Sequence, residues 1–183
     1  LAYRLAKKLI IVPHHQLTET ATENQGSSWI STGDDPQFII HPARRIPTRS
    51  FTKGWYLLRV KITEANHQSH VGKLYSNLEK GALTTVDIPW HSTKFTNRLF
   101  YLESSNTMLR FDPCEAETEF TINTFMISKV PSFIAMRHMK QRLYKLLSHV
   151  DDVEEYLDTN RKLNDGKLIE TVYEEYNKTF TTG

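Results

Sequence analysis

A change of period at Pro131 constrains this chain more than any other feature. In "GWYLLRVKIT", Tyr56, Leu58, Val60 and Ile62 alternate with Trp55, Leu57, Arg59 and Lys61, the period of a strand with one buried face. Further short β-rich runs follow: "TTVDIPW", "NRLFYLE", "TMLRFDP" and "EFTINTFMISKV", separated by Asn, Ser, Gly and Pro. Beyond Pro131 the spacing becomes helical, with Met136, Met139, Leu143, Leu146, Leu147 and Val150 on one face. Asp151 is placed to cap a second helix carrying Val153, Tyr156 and Leu157. After "NDG", a third stripe runs through Ile169, Val172, Tyr173, Tyr176 and Phe180.

Strands without helices between them predict an antiparallel β-sandwich or jelly roll at 10–130. Residues 131–183 are expected to be helical, and 1–9 to be a linker or helix end. A hydrophobic share of 39% and a charged share of 24% in 183 residues suit packed globular structure rather than disorder. The first residue is Leu1, not Met, so the chain is expected to be part of a longer protein.

Several function classes lose support. A net charge of +2 is too small to argue for nucleic acid. One cysteine, Cys114, excludes an internal disulfide and fits a reducing compartment. No apolar run reaches the roughly 20 residues that span a bilayer. There is no GxSxG, P-loop, GxGxxG or Asp-x-Asp motif, and Cys114 has no patterned His partner. His67 and His70 form an HxxH pair and His14 and His15 are adjacent, but zinc needs three or four converging ligands. Both groups read as surface histidines. Asp34 and Asp35 offer hard oxygen ligands, which makes them the calcium candidates.

Charge is uneven. No acid occurs from Pro36 to Thr63, where Arg44, Arg45, Arg49, Lys53, Arg59 and Lys61 lie; Arg137, Lys140, Arg142 and Lys145 follow later. Solvated loops and helix faces account for this pattern, and so does a basic surface for an anionic glycan, phospholipid headgroups or an acidic domain. Trp29, Trp55, Trp90, Tyr75 and Tyr101 fall in or near strand ends. Such rings either fill the core or stack on sugar faces.

Taken in order, "WISTGDDPQFII", "KGWYLLRVKI", "LYSNLEKG", "IPW", "LRFDPCEAETEFTI" and "VYEEYNKTF" resemble the accessory β-sandwich module that precedes the catalytic domain of large bacterial family-2-type glycosyltransferases. Trp29, Gly33, Asp35, Pro36 and Phe38 match its first segment, Gly54, Trp55 and Tyr56 its second, and Leu109, Arg110, Asp112 and Pro113 its third. The resemblance spans roughly residues 10–180 and implies a carbohydrate-binding-module-like sandwich in an enzyme of O-antigen or capsule synthesis. It implies a cytoplasmic protein, peripheral at the inner membrane face. It carries no catalytic residue, because the Asp-x-Asp of the catalytic domain is absent.

Trp29, Asp34, Asp35, Gln37, Trp55, Tyr75, Trp90, Arg110 and Asp112 are the glycan-binding candidates. The partners expected are a polysaccharide, the downstream catalytic domain of the same chain and the membrane surface, without nucleic acid. The rival reading is a scaffold that docks a catalytic domain, partner or membrane and binds no sugar. A small polysaccharide hydrolase is a third. "STGDDP" itself reads as a tight turn in which Gly33 takes an unusual backbone conformation, the aspartates bond backbone amides, and Arg110 or Arg59 pairs with Asp35 or Asp112. Trp29 and Phe38 are expected to lock it onto the core.

Overall fold

A computed structural model describes residues 9–20, 27–42, 50–64, 69–78, 83–92, 94–147, 152–163 and 167–181. The chain divides into two compact units, Leu1–Lys129 and Val130–Gly183. Of the expected linker or helix end at 1–9, residues 1–8 lie outside the described residues, and Leu9 opens a strand.

The first unit is a sandwich of two five-stranded sheets. Its strands are β1 (Leu9–His15), β2 (Leu17–Thr20), β3 (Ser27–Ser31), β4 (Gln37–Pro42), β5 (Gly54–Glu64), β6 (Ser69–Ser76), β7 (Thr84–His91), β8 (Thr96–Leu102), β9 (Leu109–Asp112) and β10 (Glu119–Val130). One sheet has the order β1-β4-β9-β6-β7, the other β2-β3-β10-β5-β8. The pairings of β4 with β9, β6 with β9 and β5 with β8 are antiparallel.

Period-two alternation decides which side chains meet between the sheets. Phe38, Ile40, Leu74, Ile88, Leu109 and Phe111 come from the first sheet; Tyr56, Leu58, Val60, Ile62, Phe100 and Phe120 come from the second. Aromatic edges lock the layers together. Trp29 meets Phe38 at 5.1 Å and 86°, and Phe38 meets Phe120 at 6.3 Å and 76°. Each such pair adds about 0.5–1.5 kcal/mol beyond the area it buries.

The second unit holds α1 (Ser132–Leu146), α2 (Val153–Leu163) and α3 (Leu168–Thr181). Helix α1 buries Ala135, Met139 and Leu143, an i, i+4, i+8 stripe. Leu146, expected on that face, is exposed, and Ala135, not expected there, is buried. Val150 and Asp151 lie outside the described residues. The cap of α2 is Asp152, whose Oδ1 accepts the N–H groups of Glu154 and Glu155 at 2.9 and 3.0 Å. In α3, Val172 and Tyr176 are fully buried. Tyr176 packs on His138, Tyr173 and Phe180, so this stripe closes the local helical core. No helix among the described residues is long and apolar enough to cross a membrane.

Candidate functional site

The turn between β3 and β4 carries the first part of the site. Ser31 Oγ donates to the Gly33 carbonyl at 2.7 Å, and Thr32 N donates to the Gln16 carbonyl at 3.0 Å. Gln16 sits in the left-handed region, φ 46°, and its Oε1 accepts the Asp35 N–H at 2.7 Å. That bond presses the Gln16 amide onto Gly33, where an added Cβ would lie 2.5 Å from it. Gly33 therefore does not take the unusual backbone angle expected of it; a side chain there would instead displace the Gln16 amide from the Asp35 N–H.

The Asp35 carboxylate faces side chains instead of the backbone amides expected, while the expected pairing with Arg110 is present. Its Oδ1 accepts from Arg110 Nη2 at 3.0 Å and its Oδ2 from Gln37 Nε2 at 2.5 Å. Arg110 is the centre of the arrangement. It points outward from β9, and its Nε and Nη2 reach the two oxygens of Asp112 at 2.8 and 2.5 Å. Register places Arg110 opposite Tyr75 of β6, and the guanidinium carbon lies 4.6 Å from that ring's centroid. Arg59, the other arginine considered, lies instead over Phe95 at 4.2 Å.

On β6, Val71, Lys73 and Tyr75 share the outward face, and Lys73 pairs with Glu115. Gly72, between them, faces inward against the Asp112 and Pro113 carbonyls, at 2.9 and 3.0 Å from where a Cβ would stand. A side chain there would push β6 away from β9 and separate Tyr75 from Arg110.

Of these groups, Asp35, Asp112, Val71, Lys73, Tyr75 and Glu115 border an open cleft of about 280 Å³. Asp112 and Cys114 are its buried members, Asp35, Lys73 and Tyr75 are half-buried, and Asp34, Val71 and Glu115 are its exposed members. Burial pushes the Asp112 carboxyl above the ordinary carboxylate range, and Arg110 pulls it back. The same ion pair raises Arg110, chiefly through its bond to Asp112. Burial pushes the Cys114 thiol up to about 11.

The structure brings together Asp34, Asp35, Gln37, Tyr75, Arg110 and Asp112. It leaves out the three tryptophans. Trp29 and Trp90 are core residues, 6% and 3% exposed. Trp90 donates its indole N–H to the Pro113 carbonyl at 2.6 Å and stacks on His70, so neither ring offers a face to a ligand. Trp55 is half-buried on the outer face of the other sheet, packed at 4.8 Å on Tyr101.

Lys73, Val71, Glu115 and Gln16 were missed by sequence reasoning. Period two in "SHVGKLYS" places Val71 and Lys73 beside Tyr75, but nothing local points Gln16 at a turn 19 residues away.

Among the described residues, no group of three or more His, Cys, Asp or Glu side chains is arranged to hold a metal. His67 lies outside them, and His70 Nε2 lies 3.2 Å from the buried Glu64. Arg44, Arg45 and Arg49 also lie outside them. Lys140 and Arg142 are engaged inside the helical unit, with Glu154 and Thr179.

No family model matches the chain, and no curated protein matches it. Among solved structures, it is similar to the CBM22-1 xylan-binding domain of Paenibacillus barcinonensis Xyn10C, with TM-score 0.48, 9% identity, and 66% of this chain and 85% of that one covered. It is similar to a carbohydrate-binding module of Cellvibrio mixtus lichenase 5A, solved with cellotriose, with TM-score 0.45, 13% identity, and 69% and 100% covered. A family 29 carbohydrate-binding module from Piromyces equi gives TM-score 0.43, 10% identity, and 65% and 78% covered.

Proposed function

We propose that the sandwich unit is a non-catalytic glycan-binding module that holds a growing polysaccharide for a bacterial surface-polysaccharide glycosyltransferase. The observation that carries the glycan reading is the Tyr75–Arg110–Asp35 arrangement. An outward aromatic ring stands beside hydrogen-bonding groups that are already fixed in place. A pyranose presents apolar C–H surface on its faces and hydroxyls around its rim. With one face of Tyr75 taken by Arg110, the rest of the ring and the carboxylates beside it offer both kinds of contact. These groups hold one another through side-chain hydrogen bonds, so less ordering is left for the binding step. The cleft sits at the low end of ligand-pocket volumes, roughly 300 Å³ and up. Being open, it suits one or two sugar units of a chain lying across the sheet.

Support for the parent enzyme is the run of motifs, now placed on strands. Trp29 lies in β3, Asp35 and Pro36 lead into β4, Phe38 lies in it, Gly54, Trp55 and Tyr56 open β5, and Leu109, Arg110 and Asp112 lie in β9. The acids that meet on Arg110 are held by one guanidinium, an arrangement suited to binding rather than to a pair of acids working across a bond.

A scaffold that binds no sugar has one observation in its favour: Phe133, in the first turn of α1, is 66% exposed. A glycan array probed with this chain separates the two. Binding that disappears in Tyr75→Ala, with an unchanged melting temperature, supports the module. A folded protein silent on every glycan leaves the scaffold.

A further inference from the structure

We infer that the cleft sorts glycans by charge, preferring amino-bearing sugars to uncharged ones and rejecting uronates. This rests on the reading of the cleft as a glycan site and names the ligand class. Four carboxylates meet there, those of Asp34, Asp35, Asp112 and Glu115, against the cations of Lys73 and Arg110. Two negative charges are left uncompensated. Both cations are also already engaged. Arg110 holds Asp112 through both carboxylate oxygens and reaches Asp35 with the same guanidinium, while Lys73 holds Glu115.

A uronate entering the cleft would bring a third uncompensated charge. It would also have to take a cation from a carboxylate that would then be stranded, Asp112 being nearly buried. A ligand that donates hydrogen bonds meets the opposite situation. The acceptors line the cleft, and Asp34 and Glu115 are its exposed carboxylates, within reach of an ammonium or hydroxyl without disturbing Arg110. Such exposed pairs are each worth a few-fold in affinity and are screened by salt.

The test is calorimetric titration of the folded chain with three oligomers of equal length and the same β-1,4-linked gluco backbone: glucosamine, glucose and glucuronic acid. The expected order is glucosamine, then glucose about fivefold weaker, with glucuronic acid undetectable. Raising salt to about 0.5 M shortens the screening length and should close most of the gap between the first two. Asp34→Asn should lower the glucosamine affinity more than the glucose affinity, and Asp34→Lys should admit the uronate. Glucuronic acid binding as tightly as glucose, at a site lost in Tyr75→Ala, overturns the charge inference and leaves the glycan reading standing. No heat with any of the three overturns both.

Discussion

Arg110 Nη2 lies 3.0 Å from Asp35 Oδ1, joining β9 to the β3–β4 turn across 75 residues of chain. The same nitrogen holds Asp112 at 2.5 Å. One guanidinium therefore ties a turn to a strand end and orients two acids at the cleft.

Its two partners should weigh very differently. Asp112 is nearly buried, so Arg110→Met strands a charge, and the loss should be about 3 kcal/mol. Asp35 is about half exposed at its side chain, and Asp35→Asn should cost under about 1 kcal/mol. Urea unfolding of the two variants measures the difference. Equal losses would mean that Arg110 does not organise the site through Asp112.

Much of this fold is written locally. The alternation in β5 and the helix after Pro131 each need only a neighbour's spacing; the alternation appears as expected, and of the expected stripe Met139 and Leu143 are buried while Leu146 is not. The turn was legible as a turn, and the edge packing of Trp29 on Phe38 follows from two apolar residues flanking it. Aromatic exposure was not legible. Trp90 and Tyr75 both occupy strands, and only the register of β6 against β7 and β9 turns one inward and the other outward. The role of Gln16 was equally hidden. Its amide satisfies an N–H that is close in space but remote in sequence.

Cys114 should be a slow thiol. With its value pushed up to about 11 by burial, it is almost wholly protonated at pH 8, and thiolate is the reactive form. Iodoacetamide should label the native chain far more slowly than the urea-unfolded chain at pH 8. Equal rates would place the thiol outside the core.

His138 predicts how the helical unit responds to acid. Burial, helped by Arg142, lowers it from its ordinary value of 6.5. Below about that pH the unfolded chain takes up a proton that the folded chain resists. Stability should therefore fall as pH drops through 6.5 towards the folded value. His138→Leu should flatten the dependence, measured as urea midpoints by far-ultraviolet circular dichroism between pH 7.5 and 5. An unchanged slope in the variant would assign the acid sensitivity elsewhere.

Tyr176 and Leu143 should behave alike. Both are fully buried, so Tyr176→Ala and Leu143→Ala should each cost about 2–5 kcal/mol. Thermal unfolding checks this. A Tyr176→Ala chain as stable as the unsubstituted one would move the α3 stripe from the local core to a docking role.

In the proposed complex a glycan lies on the outer face of β4, β9 and β6. Backbone amide shifts followed by NMR during titration with a glucosamine oligomer test it most directly. Changes should cluster at Asp34, Asp35, Gln37, Lys73, Tyr75, Arg110 and Glu115, with Trp55 and Tyr101 on the opposite sheet unmoved. Changes centred on Trp55 and Tyr101, or shifts that persist unaltered in Tyr75→Ala, would contradict it.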